Sequence, residues 1–162
     1  MIKKSLSVVR VAAFCLPLVL VASCGTGSEA VQNTVVNIDP PDIAQNVLAG
    51  TTSSITNSKY RIEVKSPTGY PQIGVSLVIS SPGILSTVDT SASPAIFTPM
   101  AAAGNTYTVT TDSNGTYTTA VSFTSPVSAD GEVTILSAWS GTGYNRVNIT
   151  YTCVDNGATL CP

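Results

Sequence analysis

The sequence predicts an all-β fold, an antiparallel β-sandwich of seven or eight short strands. Thr, Val, Ile and Tyr dominate the second half of the chain, as in β-strands, whereas the helix-favouring Glu, Lys, Arg and Gln are scarce. Between residues 58 and 153, apolar and polar residues alternate with the period of two that a half-buried strand requires. Turn residues separate these runs at spacings of roughly a dozen residues, as in sandwich folds.

Each strand is predicted from its own alternating run. The clearest run begins at Lys59, where Tyr60, Ile62 and Val64 alternate with charged residues. Glycine and proline turns such as Ser81-Pro82-Gly83 end the runs. The remaining strands are predicted over or near residues 75–80, 84–88, 95–97, 107–111, 117–123, 133–136 and 147–151.

The first 23 residues have the composition of a secretion signal. Lys3, Lys4 and Arg10 give a positive start, and an apolar run follows from Val11 to Val21. Small residues close the segment, which completes the three parts of an export signal. The run is too short to span a bilayer, which requires about 20 apolar residues. We therefore expect residues 1–23 to be removed on export.

The segment Val21-Ala22-Ser23-Cys24 resembles the lipobox of bacterial lipoproteins, in which an aliphatic residue and two small residues precede an invariant cysteine. The resemblance implies that the Cys24 thiol receives a diacylglycerol and that cleavage occurs between Ser23 and Cys24. More than one acyl chain is needed because a single chain holds a protein to a membrane only marginally. The alternative is ordinary secretion, with Cys24 as a chance thiol.

Residues 24–57 are predicted to be a lipidated N terminus followed by a flexible tether. They lack a sustained alternation and include Pro40-Pro41. The alternative for part of this segment is a first edge strand over Val35-Val36-Asn37-Ile38.

A disulfide bond between Cys153 and Cys161 is predicted to close the C-terminal tail, residues 154–162. Export places the chain where disulfides persist. Asp155-Asn156-Gly157 can turn the tail back towards the end of the last strand, so the geometry permits the bond. The alternative is that the two cysteines pair with a partner chain.

The order of turns and strands resembles the bacterial Ig-like domains of invasin and intimin. In that family a polar Gly turn precedes a Gly-Val strand, a Thr-Asp-x-x-Gly turn introduces a later strand, and a Gly-led alternating strand comes near the end. The resemblance covers residues 58–153, close to the roughly 100 residues of such a sandwich, and implies an Ig-like fold. The matching stretches are Pro67-Thr68-Gly69-Tyr70-Pro71, Gly74-Val75-Ser76-Leu77, Thr111-Asp112-Ser113-Asn114-Gly115 and Gly131-Glu132-Val133-Thr134-Ile135.

Composition argues against several classes of function. Without the signal the chain keeps four basic residues against nine acidic ones, a formal charge of −5, which opposes the phosphate neutralisation that nucleic-acid binding requires. The chain contains no histidine, the commonest general base and transition-metal ligand. A Ser or Thr nucleophile would need an activating base, and Lys59 and Lys65 stand in no recognisable motif. We therefore predict no enzyme, and no catalytic, cofactor or metal residue.

Three polar patterns have alternative interpretations. Asp112-Ser113-Asn114-Gly115 has oxygen ligands at calcium-like spacing, yet Asp and Asn before Gly are also what a tight turn requires. Asp130-Gly131 and Asp155-Asn156-Gly157 are interpreted as turns in the same way. Lys65, Glu63 and Asn148 are the residue types that form intramolecular isopeptide bonds in some surface Ig-like domains, although no pattern selects them.

Residues 86–105 depart most from the strand pattern and are predicted to be a long loop available for binding. Ile96, Phe97 and Met100 lie there among small residues, and exposed apolar side chains often mark contact sites. The alternative is that Ile96 and Phe97 complete the core.

These observations lead to a non-enzymatic, lipid-anchored cell-envelope protein with an Ig-like module for adhesion, assembly or structural spacing. Its partners would be the membrane, through lipid on Cys24, and an envelope or surface protein or glycan. Because Gly25 is not the Asp that retains many lipoproteins at the inner membrane, we expect the outer membrane if the host has two. The alternative is an accessory lipoprotein subunit of a larger envelope machine, such as a secretion or pilus complex.

Overall fold

The computed structural model describes residues 33–100 and 104–161, which form ten β-strands and no helix. The signal peptide and Cys24 lie outside the described residues. Within the described part of the chain, no helix is long and apolar enough to cross a membrane. The strands are β1 (Val35–Asp39), β2 (Ile43–Leu48), β3 (Thr52–Lys65), β4 (Ser76–Ser80), β5 (Ile84–Asp89), β6 (Ile96–Pro99), β7 (Thr106–Thr110), β8 (Thr116–Pro126), β9 (Gly131–Ser140) and β10 (Gly143–Val154).

The strands form two five-stranded sheets, with the orders β1-β3-β8-β5-β6 and β2-β10-β9-β4-β7. Neighbouring strands are antiparallel except β2 and β10, which run parallel. The predicted all-β sandwich is confirmed, with ten strands in place of seven or eight.

The strand order is that of an immunoglobulin sandwich. In the seven-stranded form, strands A, B, E and D make one sheet and C, F and G the other. Here β1, β3, β8 and β5 occupy the A, B, E and D positions, and β4, β9 and β10 occupy C, F and G. Both the spatial order and the order along the chain agree. The other three strands, β2, β6 and β7, lie at sheet edges.

The sandwich begins at Val35, so the predicted boundary of the tether at residue 57 is too late. Strand β1 pairs with the end of β3, and β2 pairs with β10. Val36 and Val47 are 4% and 8% exposed and therefore belong to the core. The alternative of an edge strand at residues 35–38 is the one that the structure shows.

Because β3 contains a β-bulge, the alternation in the sequence predicts only the second half of this strand. The register of β3 on β8 shifts between Ile55 and Ser58, where Asn57 has a φ of 51°. Because a bulge inserts an extra residue, the inward positions change from odd numbers such as Ile55 to even numbers such as Tyr60. The period of two is therefore interrupted midway along one continuous strand.

Residues 86–105 do not form one long loop. They contain the end of β5 and all of β6, which pair as an antiparallel hairpin at the edge of the first sheet. Met100 is half-buried and packs against the core, and Phe97 lies 5.6 Å below the ammonium of Lys59. Ile96 is 55% exposed. The short strands predicted near residues 84–88 and 95–97 are therefore confirmed, and the loop prediction is wrong.

The core lies between the inner faces of the two sheets. Aliphatic side chains at alternate positions fill it, because strand residues two apart share a face. Tyr60 is also fully buried. The largest fully buried aliphatic side chains are Ile62, Leu77, Ile79, Leu85, Ile135, Leu136, Ile149, Val64, Val121 and Val147.

Candidate binding surface at the N-terminal end of the sandwich

The strand registers define two ends of the sandwich. At the N-terminal end, the chain enters β1 beside the end of β3, and the connections at residues 66–75, 90–95, 111–115 and 141–142 cluster. At the C-terminal end lie the connections at residues 49–51, 81–83 and 127–130 and the tail after β10. The two ends therefore carry different loops and different side chains.

Thr34 fixes the point at which the chain enters the sandwich. Its hydroxyl donates to the carbonyl of Ser140 and accepts from the amide of Gly143 at 3.1 Å. Its own amide donates to the hydroxyl of Thr142 at 3.3 Å. A Cβ at position 143 would lie 2.7 Å from the Thr34 carbonyl oxygen, so the close approach requires glycine. The N-terminal segment thus leaves the fold beside the β9–β10 turn.

The Asp112 motif forms a turn from β7 into β8. The Oδ1 atom of Asp112 accepts the amides of Asn114 at 2.8 Å and Thr116 at 2.9 Å, and Oδ2 accepts the Thr116 hydroxyl at 2.9 Å. These bonds, led by the one from the Thr116 amide and helped by the charge of Arg61, lower the pKa of the Asp112 carboxyl. The motif is therefore a turn, because both carboxylate oxygens of Asp112 accept hydrogen bonds from within it.

Gly115 joins this turn to the loop between β3 and β4. Its φ is +71°, and a Cβ there would lie 2.8 Å from Pro71 Cβ and 2.9 Å from the Gln72 amide nitrogen. The Gly115 carbonyl accepts the Val64 amide at 2.9 Å, and the Val64 carbonyl accepts the Gln72 amide at 2.8 Å. The turn and the loop are therefore packed backbone against backbone.

Residues 66–74, here called the Tyr70 loop, carry the most exposed apolar side chains of this end. The Ser66 amide donates to the Tyr70 carbonyl at 2.8 Å, and the Gly69 amide donates to the Ser66 carbonyl at 2.9 Å. Although the backbone is held in this way, Tyr70 is 72% exposed and Ile73 is 61% exposed. Sequence reasoning treated this stretch only as a turn. The signal available was the presence of two large apolar residues inside a polar Gly and Pro turn.

A cleft of 260 Å³ lies beside the Asp112 turn, between the ends of β5, β7 and β8. Threonine hydroxyls in its lining can form hydrogen bonds with a small polar group. The volume is just below the roughly 300 Å³ at which small-molecule pockets usually begin. The lining residues are Thr87, Val88, Thr90, Thr110, Asp112, Thr116, Tyr117 and Thr118.

At the C-terminal end, a disulfide joins Cys153 to Cys161 with their Cα atoms 5.8 Å apart. Asp130 and Asp155 hold the two half-cystines, because their carboxylates accept the amides of Cys153 and Cys161, each at 2.7 Å. The intrachain bond is the predicted pairing. The Asn156 side chain accepts the amides at positions 158 and 159, so the Asp155-Asn156-Gly157 stretch turns the tail as predicted.

The three residues considered for an isopeptide bond do not come together. Lys65 makes an ion pair with Glu63 at 2.8 Å on the first sheet. Asn148 lies in β10 of the second sheet, where it is 5% exposed and its side chain contacts Thr134 and Glu132. Among residues 33–100 and 104–161, no three His, Cys, Asp or Glu residues are grouped as metal ligands would be.

No protein-family model matches this chain, and no curated protein matches it either. Among solved structures, it is similar to the crystal structure of the S-layer protein SbsC domains 4 and 5, with 17% sequence identity and a TM-score of 0.32. The match covers 73% of this chain and 51% of that one, so the chain spans about half of the structure it matches. The Ig-like assignment accordingly depends on the strand order alone.

Proposed function

We propose that the chain is a non-enzymatic, lipid-anchored protein of the bacterial cell envelope whose Ig-like sandwich serves adhesion, assembly or structural spacing. The lipobox resemblance at Val21–Cys24 supplies the anchor, and the immunoglobulin strand order supplies a module in which loops carry function. The resemblance to invasin-type and intimin-type domains supports a role at the cell surface. The partner is an envelope or surface protein or glycan.

One observation carries this proposal, namely the short distance along the chain between Cys24 and the fixed entry point at Thr34. Only nine residues separate them. Ten peptide units span at most roughly 35 Å when fully extended. The anchor would therefore keep Thr34, and with it the N-terminal end of the sandwich, within roughly 35 Å of the membrane surface. Such an arrangement suits a module that presents a surface at a set height.

Substitution of the lipidated cysteine tests the anchor. Cys24→Ser should give an uncleaved precursor that takes up no fatty-acid label and runs as a heavier band. Cys15→Ser, which removes a thiol inside the apolar run of the signal, is the matched control and should be processed and labelled normally. Normal labelling of Cys24→Ser would contradict the proposal. In a host with two membranes, sucrose-gradient fractionation should recover the labelled protein with the outer membrane; recovery with the inner membrane would contradict that location.

A second function, the accessory subunit of a larger envelope machine, is favoured by the edge strand β7. Exposed sheet edges template pairing with another strand unless charges, proline or bulges protect them. Strand β1 ends in Asp39, and β6 has four residues and ends in Pro99. The edge strands β2 and β7 contain neither a charge nor a proline, and the five residues of β7, Thr-Tyr-Thr-Val-Thr, pair regularly with β4. A partner strand can extend the second sheet at this edge.

Site-specific photo-crosslinking on intact cells distinguishes the two functions. A photoreactive residue in place of Thr108, which is exposed on β7, should yield a discrete crosslinked product if a subunit adds a strand there. The same residue in place of Thr150, which is also exposed but lies in β10 with β2 on one side and β9 on the other, is the control. Equal patterns at the two positions would remove the support for the subunit function.

A further inference from the structure

The exposed apolar side chains of the Tyr70 loop lie at the end of the sandwich that the N-terminal segment reaches. Residue 65, which precedes the loop, pairs with Val35, the first residue of β1. Thr34 is held at the same end by the β9–β10 turn. The chain therefore leaves the fold next to the start of this loop.

The reach of the N-terminal segment excludes one orientation of the sandwich on an anchoring membrane. From Cys24 to Thr34 the chain spans at most roughly 35 Å. Strand β3 alone has 14 residues and crosses the length of the sandwich. At about 3.3 Å per residue this length is roughly 45 Å. A sandwich standing on its C-terminal end would hold Thr34 roughly 45 Å from the membrane, farther than the segment can extend, whereas the Tyr70 loop lies at the same end as Thr34.

We propose that the Tyr70 loop inserts Tyr70 and Ile73 into the headgroup region of the membrane that holds the lipid anchor. This inference depends on the anchoring at Cys24 proposed above. A tyrosine suits this position because its ring is apolar and its hydroxyl is polar, and such side chains concentrate at membrane–water interfaces. The isoleucine adds apolar area that is otherwise 61% exposed to water.

The backbone of the loop is already ordered for this contact. Ser66 holds Tyr70 through two hydrogen bonds, one at 2.8 Å and one at 3.2 Å. On the other side, Gly115 packs against Pro71 and Gln72. Insertion therefore orders only side chains, which lowers the entropy cost of the contact.

The anchor makes a weak contact sufficient. Once lipid on Cys24 is inserted, docking of the loop is an intramolecular event at the high effective concentration set by a short segment. The contact would fix the tilt of the sandwich on the membrane, which a lipid joined through nine residues does not do by itself.

Fluorescence quenching by brominated lipids tests the inference on the full acylated chain. The chain has one tryptophan, Trp139, and Trp139→Phe provides a silent background. Tyr70→Trp then reports on the loop. Leu160→Trp is the matched control, because Leu160 at the other end is 73% exposed against 72% for Tyr70. Each variant is placed in phosphatidylcholine vesicles with brominated acyl chains.

We expect the indole at position 70 to be quenched at least about twofold more than that at position 160, since interfacial side chains reach about 5–10 Å into the boundary. Adding Ile73→Ser should reduce quenching at position 70, whereas Val154→Ser at the far end should not. Equal quenching at positions 70 and 160 in labelled protein would overturn the docking alone. Absence of fatty-acid label on Cys24 would overturn the anchor and, with it, this inference.

Discussion

The two ends of the sandwich are stabilised by different means. At the N-terminal end, the Thr34 contacts, the Asp112 turn and the Tyr70 loop are joined by hydrogen bonds and by glycines where backbones touch. At the C-terminal end, a covalent bond between Cys153 and Cys161 closes the tail on the last strand. The first end depends on noncovalent contacts alone, whereas the second adds a cross-link to noncovalent contacts that include the close approach of Gly83 to the Ser122 carbonyl.

This difference indicates what each end is built to resist. An end held by backbone contacts presents its loops in fixed positions, which suits a binding surface such as the Tyr70 loop. An end closed by a disulfide resists fraying of the last strand, because terminal strands are where unfolding and proteolysis begin. The following changes should therefore have unequal effects, which decrease from the packed end to the core.

The largest expected effect is at Gly115. The backbone at position 115 is left-handed, which costs about 1–2 kcal/mol for residues other than glycine. An added side chain would also collide with Pro71 and Gln72. Gly115→Ala should lower the free energy of unfolding by about 3 kcal/mol or more. Gly69→Ala is the matched control, because Gly69 has a φ of +92° but nothing within 4 Å of its Cβ position. Chemical denaturation giving equal losses would show that packing against the Tyr70 loop contributes nothing.

The disulfide ranks second. Replacing Cys153 and Cys161 together by serine should reduce the free energy of unfolding by roughly 2–3 kcal/mol, since the closed loop is short. Hydrogen exchange should rise in the last residues of β10 and stay unchanged at the N-terminal end. Increased hydrogen exchange at the Asp112 turn in this variant would mean that the two ends are coupled, and would contradict their separate stabilisation.

A smaller, pH-dependent effect is expected at Asp112. Because its pKa is lower in the folded protein than in the unfolded chain, its stabilisation is present above the ordinary pKa of about 4 and is lost as the pH falls through the lowered folded value. Asp112→Asn should lower Tm by a few degrees at pH 7. The Tm of this variant should also decrease less than that of the wild type as the pH is lowered. Asp39→Asn, at an exposed position, controls for the lost charge. Identical profiles for the two variants would assign the effect to net charge.

The smallest effect is expected in the core between the two ends. The buried hydroxyl of Tyr60 has no hydrogen-bond partner among the described residues, and burial raises the pKa of this phenol. Tyr60→Phe should leave stability at pH 7 unchanged or slightly higher, because an unsatisfied polar atom is removed. The wild-type protein should lose stability as the pH rises from about 10 towards the raised folded value, and the variant should lose less. A clear loss of Tm at pH 7 would reveal a partner for the hydroxyl.

Much of this protein follows from local features of its sequence. The alternation from Lys59 onwards predicts inward and outward faces of strands, and the Asp112 motif predicts its own turn. Of the four cysteines, Cys15 and Cys24 lie in or next to the predicted signal, so the bond between Cys153 and Cys161 could be predicted as well. These features depend on the steric and hydrogen-bonding preferences of a few consecutive residues.

Only the tertiary structure decided which strands are neighbours and which loops they bring together. Residues 43–48 alternate only weakly in the sequence, and they form a strand by pairing in parallel with β10. The bulge at Asn57 shifts the alternation of β3 by one residue, so the sequence pattern does not predict its first half. The position of the Tyr70 loop likewise depends on a distant residue, because Gly115 packs against Pro71 and Gln72. An alternation with a period of two shows on which face of its strand a side chain lies. Pairing and exposure depend on contacts between distant segments, which the sequence specifies only through the folded whole.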